Sequence, residues 1–268
     1  MGFGMFEKSQ KVVTNKDLYR SWFVLYNAIE GRGEMLIPSQ TWGEDIKINR
    51  SLVKANLLDV QTKIAHSKVK IIAVTKYFGL DAINAGYEVG IRDFAESRAI
   101  EAIRKIESLS EDVRKNSTFH FIGHLQTNKA EKVVKYFDVI HSVDSLKIAR
   151  AISQSACRLN KREKVLLQVN NAGEVQKSGY DEGALILEFS EIIGLEGIEV
   201  VGLMNIAPLG ASGEQLKKLF GDIKFFRDEL EKEFNLRLPE LSMGMSDDYE
   251  IAVKEGATMI RIGRKLFK

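Results

Sequence analysis

The chain has 268 residues, with 39 lysines and arginines against 37 aspartates and glutamates, and a formal net charge of +2. This balance excludes proteins that bind nucleic acid or anionic membranes through clustered positive charge, and the hydrophobic fraction of 44% excludes a mainly disordered chain. A single cysteine, Cys157, and the lack of any apolar run of about 18 residues favour a cytoplasmic protein with no membrane partner.

Residues 1–45 do not share the pattern of the rest and are interpreted as an N-terminal extension of unknown role. Within them, Asn15 to Glu30 predicts a helix with Leu18, Trp22 and further apolar residues on one face. We expect this helix to pack against the domain that follows, and a dimerisation or partner helix is the alternative. The protein is therefore expected to be a monomer, with a dimer through the extension as the second choice.

Residues 46–268 read as one helix followed by eight strand–helix units. The helix is predicted from Ile46 to His66, and each strand is a short, apolar and often β-branched run of the kind that is buried on both faces. The strands are predicted at 69–75, 91–95, 118–123, 138–143, 164–169, 198–204, 240–243 and 258–262, and the helices at 81–89, 97–109, 127–136, 145–160, 179–193, 214–234, 247–255 and 264–267. This order favours the α/β class and a single (β/α)8 TIM-type barrel with an extra N-terminal helix over an open doubly wound sheet.

Several common functional motifs are absent from the sequence. There is no G-x-G-x-x-G after a strand, no phosphate-binding P-loop, no G-x-S-x-G and no H-E-x-x-H. His120 and His124 come closest to a metal site, but one lies in a predicted strand and the other just beyond it. We interpret both as core or rim histidines and expect no metal ligand set.

Lys76 closes the first predicted strand, and functional residues of such barrels gather at the carboxyl ends of the strands. A lysine amine partly withdrawn from water at this position is a nucleophile suited to forming a Schiff base with an aldehyde or ketone. The alternative, equally supported by position alone, is a lysine whose ammonium group reaches solvent from the strand end.

Two glycine-containing loops, 242–246 and 261–264, follow the seventh and eighth predicted strands. Loops at these two positions, together with a short extra helix, form the usual phosphate site of such barrels. Gly244 and Gly263 would allow close approach of the backbone, and the two serines of the first loop would supply hydroxyl groups. Turn glycines and helix caps are the alternative. Together with the lysine of strand one, the loops favour a phosphate-bearing aldehyde as ligand.

Several strings of residues resemble the pyridoxal-phosphate homeostasis protein family, among them IAVTK at 72–76 and FHFIGHLQTNK at 119–129. The other strings lie at 141–146, 167–170, 177–179, 202–204, 207–208, 241–248 and 259–264. The resemblance covers the chain from about Ile46 to its end. It implies a barrel like the N-terminal domain of alanine racemase that holds pyridoxal 5′-phosphate (PLP).

Carried over by position, the resemblance implies that Lys76 holds PLP covalently as an aldimine and that Arg261 faces the pyridine nitrogen. The other implied cofactor-binding residues are Ser97, Met204, Ser242, Gly244, Met245, Ser246, Gly263 and Arg264, with Met204 and His124 lining the mouth. The family usually has Gly-Glu-Asn where this chain has Ala95, Glu96 and Ser97, so an amide donor near the ring is missing. The expected consequence is either a lower PLP affinity or a water molecule in the place of the missing amide group.

The resemblance also implies a carrier in PLP homeostasis, with apo PLP-dependent enzymes as recipients and no catalytic residue. Arg261 can only donate to the ring nitrogen, which disfavours protonation of the ring and weakens it as an electron sink. The chain ends just after the barrel, so we expect no second domain to bring the tyrosine base that alanine racemase uses. A PLP-dependent racemase or Schiff-base aldolase, with His124 or Tyr77 as proton shuttle, is the alternative, and an interaction protein acting through Trp22 is a third hypothesis.

Overall fold

Eight parallel strands close into a barrel in chain order in the computed structural model, which describes residues 48–65, 67–174 and 178–268. The strands are β1 (Lys70–Val74), β2 (Asp93–Glu96), β3 (Thr118–Phe121), β4 (Val139–Val143), β5 (Glu163–Gln168), β6 (Ile198–Met204), β7 (Glu240–Ser242) and β8 (Met259–Ile262). β8 pairs with β1, which leaves no open edge. The predicted (β/α)8 barrel is confirmed, and the predicted helix at 15–30 lies outside the described residues.

Helices follow the strands and cover the outside of the barrel. They are α1 (Arg50–Lys63), α2 (Leu80–Glu88), α3 (Ala99–Ser108), α4 (Glu111–Lys115), α5 (Ala130–Tyr136), α6 (Leu146–Arg158), α7 (Glu182–Ile193), α8 (Gly213–Phe234), α9 (Tyr249–Lys254) and α10 (Arg264–Phe267). α1 precedes β1 and is the predicted extra helix. No helix of the described ranges is long and apolar enough to cross a membrane.

The helix ends differ from the predictions where side chains cap the backbone. α1 begins at Arg50 because the Asn49 side chain accepts hydrogen bonds from two backbone N–H groups of the first turn. α7 begins three residues later than predicted because Asp181 caps it in the same way. The short helix α4, which was not predicted, starts at the cap residue Ser110.

Alternate strand residues face the barrel interior and the helix layer. Ile72 and Val74 belong to a small apolar cluster with Ala95 and Met259, whereas Ala73 lies in the main cluster shared with the helices. Because successive side chains of a strand point to opposite faces, Ile72, Val74, Ala95 and Met259 line the barrel interior, and Ala73 faces the helix layer. This phase decides which side chains of each strand reach the mouth of the barrel.

Glu163 is a fully buried carboxyl group at the amino end of β5, and its Oε2 lies 2.7 Å from the Lys161 Nζ. Burial raises its pKa from the ordinary 4.5 to about 7, although Lys161 acts in the opposite direction. The folded protein therefore takes up a proton that the unfolded chain has lost in this range. The stabilisation from this group is complete below about pH 4.5 and is lost as the pH rises through about 7.

We expect Glu163→Gln to raise the free energy of unfolding by about 3 kcal/mol at pH 8, because the amide needs no proton, and to leave it nearly unchanged at pH 4.5. Urea unfolding at the two pH values measures the difference. Glu199→Gln, at an exposed position of the neighbouring strand β6, is the matched control and should change neither value. An equal gain at both pH values for Glu163→Gln would contradict the assigned cause.

Candidate functional site

Lys76 lies just past the end of β1 at the mouth of the barrel and is half-buried. Lys76 comes two residues after Val74, which faces the barrel interior, so the alternation of the strand places Lys76 on the same inner side. The Thr75 side chain between them lies on the helix side, where it donates a hydrogen bond of 2.7 Å to Glu96. The Nζ lies 5.1 Å from the centre of the Tyr77 ring. No salt bridge within the described ranges involves Lys76, so its amine has no carboxylate partner there.

Arg261 projects from β8 into the interior and is 4% exposed. Its Nη1 donates to the carbonyl oxygen and to the hydroxyl oxygen of Ser242, both at 2.7 Å, and its Nη2 donates to the carbonyl oxygen of Asn205 at 2.8 Å. Burial lowers the pKa of Arg261 to about 10, and the nearby Asp248 acts in the opposite direction. The guanidinium stays charged at neutral pH and is fixed as a hydrogen-bond donor.

Gly244 follows β7 in a conformation that a side chain would not tolerate. Its φ is +92°, and a Cβ there would lie 2.6 Å from the Cβ of Ala252 and 3.0 Å from the Cα of Tyr249. The Gly244 carbonyl accepts from the backbone N–H of Arg261 at 3.0 Å. The glycine therefore lets the loop after β7 pack tightly against α9 and β8.

The loop after β8 lies between the loop after β7 and strand β1. A Cβ on Gly263 would lie 3.3 Å from the carbonyl oxygen of Val74, so this glycine is in close contact with the strand that carries Lys76. Arg264 forms an ion pair of 3.6 Å with Asp247, and both side chains are largely exposed. The two predicted loops and the predicted lysine are thus brought to the same end of the barrel.

The remaining predicted site residues differ in their location near this end of the barrel and in their burial. Ser97 follows β2 and is half-buried, next to Gly123 after β3. Met204 is buried in the interior and packs in a small cluster with Val139, Leu166 and Val201. Met245 is 37% exposed, and its N–H donates to the Asp248 carboxylate at 2.5 Å, whereas Ser246 is half-buried in the same loop.

Ser242 is fully buried below the mouth, with its hydroxyl already hydrogen-bonded. The oxygen accepts from Arg261 and lies 2.9 Å from the Nδ1 of His141. Its assignment to a phosphate group stays a prediction, since its contacts in the structure are to these two side chains. His141 was not predicted as a site residue, although it is a histidine in a buried strand.

The two histidines considered at the sequence level lie in different environments. His120 is fully buried with both ring nitrogens hydrogen-bonded, which confirms it as a core histidine. His124 lies on the rim, where its Nδ1 is 3.2 Å from Asp144 and 3.3 Å from Ser178, and its side chain is 62% exposed. Among the described residues, no group of three or more histidine, cysteine or acidic side chains could hold a metal ion.

The family model of the alanine racemase N-terminal domain matches residues 48–268. A pyridoxal phosphate homeostasis protein of Synechocystis sp. is 45% identical over 199 residues, which cover 74% of this chain and 90% of that protein. The chain belongs to the pyridoxal phosphate homeostasis protein family. The resemblance seen in the sequence is thereby confirmed.

The fold is similar to two solved structures of PipY from Synechococcus elongatus, one without PLP and one with PLP bound. The structure without PLP is 39% identical and covers 81% of this chain and all of that chain, with a TM-score of 0.76. The structure with PLP bound is 38% identical over the same shares, with a TM-score of 0.74. The barrel of this member of the pyridoxal phosphate homeostasis protein family is therefore shared with a protein whose PLP complex is known.

Proposed function

We propose that the protein binds PLP at the mouth of its barrel, holds it covalently through Lys76 and serves in PLP homeostasis without turnover of a substrate of its own. The observation that carries the proposal is the meeting of the Lys76 amine, the buried Arg261 guanidinium and the glycine loops at one end of the barrel. The PLP complex of PipY supports the same ligand for this chain.

The residues at the mouth fit this cofactor by the chemistry of their donor groups. PLP supplies an aldehyde, a phosphate and a ring nitrogen, which are an electrophile and two acceptors. We assign the cofactor contacts to Lys76, Ser97, Met204, Ser242, Gly244, Met245, Ser246, Arg261, Gly263 and Arg264. Gly244 lies where a Cβ would clash with α9, and Gly263 lies where a Cβ would crowd β1, so these glycines let the two loops pack closely beside the lysine and the arginine.

We propose that Lys76 forms the covalent link, an aldimine. Its nitrogen bonds to the aldehyde carbon of PLP, and the aldehyde oxygen leaves as water. The half-buried position of the lysine and the lack of a carboxylate partner in the described ranges leave its amine available for this reaction. Arg261 would meet the ring nitrogen as a donor.

The proposed lack of turnover rests on the surroundings of the two candidate proton shuttles. Tyr77 is 60% exposed, and the His124 side chain is 62% exposed and shares its Nδ1 between two partners. Neither is enclosed opposite Lys76, and a donor at the ring nitrogen weakens carbanion stabilisation. A racemase or Schiff-base aldolase would need a base held in a closed site.

The test is to add PLP to the purified full-length protein, remove the excess by gel filtration and record the absorbance before and after borohydride. We expect a retained near-ultraviolet or visible band that borohydride bleaches, and a reduced adduct on the peptide that contains Lys76 in mass spectrometry. A band without an adduct on Lys76 would overturn the covalent assignment. Deuterium incorporation at Cα of amino acids in heavy water, above the rate with free PLP, would favour the racemase.

We further propose the cytoplasm as the site of action, apo PLP-dependent enzymes as recipients, and a monomer of two parts. Residues 1–45 would form the extension and residues 46–268 the PLP-binding barrel. A family match that begins at residue 48 supports this boundary. The single cysteine and the nearly balanced charge support the location and a small-molecule ligand rather than nucleic acid.

A further inference from the structure

Five side chains form a continuous hydrogen-bonded chain across the barrel interior. The contacts are Asp93 Oδ1 to His120 Nε2 at 3.0 Å, His120 Nδ1 to His141 Nε2 at 2.9 Å, His141 Nδ1 to Ser242 Oγ at 2.9 Å, and Ser242 Oγ to Arg261 Nη1 at 2.7 Å. Both imidazoles and the serine are fully buried, while Asp93 is partly exposed at the amino end of β2. The chain thus runs from the end opposite the mouth to the guanidinium of the candidate site.

The chemistry of the two ends sets the direction of these hydrogen bonds. Asp93, as a carboxylate, can only accept, so the His120 Nε2 carries a hydrogen, and Arg261 can only donate to Ser242. Burial lowers the pKa of His141 well below its ordinary value, and His120, Arg261 and Lys70 lower it further. His141 is therefore neutral, with one donor nitrogen and one acceptor nitrogen.

In the arrangement that we infer, His120 carries its one hydrogen on Nε2, and the positions of the remaining hydrogens follow from this. The His120 Nδ1 then accepts from the His141 Nε2, and the His141 Nδ1 accepts from the Ser242 hydroxyl. The serine oxygen keeps its lone pairs for the arginine. Every donor points from Arg261 towards Asp93, and no two hydrogens face each other.

The serine contact fixes one side of the guanidinium. Of the five N–H groups of Arg261, two on Nη1 bind Ser242 and one on Nη2 binds the Asn205 carbonyl. The other two N–H groups, one on Nη2 and one on Nε, have no hydrogen-bond partner within residues 48–65, 67–174 and 178–268. They are the donors that remain for an acceptor at the mouth.

We propose that Asp93, His120 and His141 are positioning residues for Arg261: through Ser242 they fix the plane of the guanidinium and so set its hydrogen bond to the ring nitrogen of bound PLP. This inference rests on the proposed function. Two polar rings in a barrel interior that is normally filled by branched apolar side chains are costly to bury unless every nitrogen is paired, and here every nitrogen is paired along one line to the arginine.

The test compares His141→Leu with His141→Gln in the PLP-loaded full chain. Leucine has a similar size but no polar atom, whereas glutamine offers one acceptor and one donor and can keep the order of the chain. We expect the leucine variant to shift the absorbance maximum of bound PLP and to raise its dissociation constant on the order of 10-fold. The glutamine variant should retain the wild-type maximum and stay within about threefold of the wild-type affinity. A leucine variant that folds and matches the wild type in both measurements would overturn the proposal.

A second measurement needs neither PLP nor a variant that folds poorly. Long-range nitrogen–proton NMR of the apo chain, which has four histidines, reads the tautomer of each ring. We expect both His120 and His141 to be neutral with the hydrogen on Nε2. A hydrogen on Nδ1 of either ring would overturn the inferred direction and with it the proposal. Failure of the wild type to bind PLP would instead refute the proposed function, because the tautomers are read without cofactor.

Discussion

Replacing Lys76 by alanine is expected to remove the retained absorbance band and the borohydride adduct, and to weaken PLP binding on the order of 100-fold or more. The physical reason is that the lysine supplies the only covalent contact proposed, while the other assigned residues contribute hydrogen bonds and close backbone approach. Absorbance after gel filtration measures retention, and equilibrium dialysis against free PLP gives the change in affinity. Residual binding should come from Arg261 and the loops after β7 and β8.

Two further variants test whether the loss is due to the covalent bond. One keeps the positive charge at residue 76, and the other replaces a lysine outside the site. Lys76→Arg keeps a positive charge at the mouth, but a guanidinium does not form the bond to an aldehyde under these conditions, so the band should again be lost. Lys147→Ala removes an exposed lysine of α6 and should leave band, adduct and affinity unchanged. A band that persists in Lys76→Ala and reduces onto another lysine would move the covalent site elsewhere.

The barrel could be predicted from the sequence because its signal is local. Each strand is a short apolar run bounded by polar or glycine residues, and eight such runs alternate with helices, which leaves few architectures. The helix ends were less accurate because they depend on single caps such as Asn49 and Asp181. α4 was missed since its five residues are too few to show a helical period.

Only those site residues could be predicted whose place at the mouth follows from their position along a single strand. Lys76 and Arg261 lie near strand ends, where residues of these barrels face the mouth, and the structure places both there. The contact between His120 and His141 depends instead on register, since His120 pairs in the sheet with Val139 and meets His141 diagonally. The contact of His141 with Ser242 joins strands that are not neighbours, and no sequence pattern reports it.

Gly202→Ala is expected to lower the free energy of unfolding by about 3 kcal/mol or more. Gly202 in β6 pairs with Glu240 in β7, and a Cβ there would lie 1.8 Å from the carbonyl oxygen of Glu240 and 2.6 Å from its carbonyl carbon. Both are backbone atoms, so no side-chain rotation relieves the clash, and β6 and β7 would have to separate. Urea unfolding measures the loss, with PLP affinity as a second readout because Asn205, just beyond β6, holds Arg261.

Gly213→Ala makes the same chemical change where the structure has room for it. Gly213 opens α8, and the nearest atom to an added Cβ is the Cδ1 of Ile251 at 3.8 Å, so we expect stability to stay the same or rise by up to about 1 kcal/mol. Gly202 follows a register shift in the pairing of β5 with β6, where Val165 pairs with Val200 and the next residue of β5 pairs with Gly202. Neither this irregularity nor the close approach of the Gly202 backbone to Glu240 can be read from the amino-acid sequence. Equal midpoints for the two alanine variants would mean that the two strands are not packed this closely in solution.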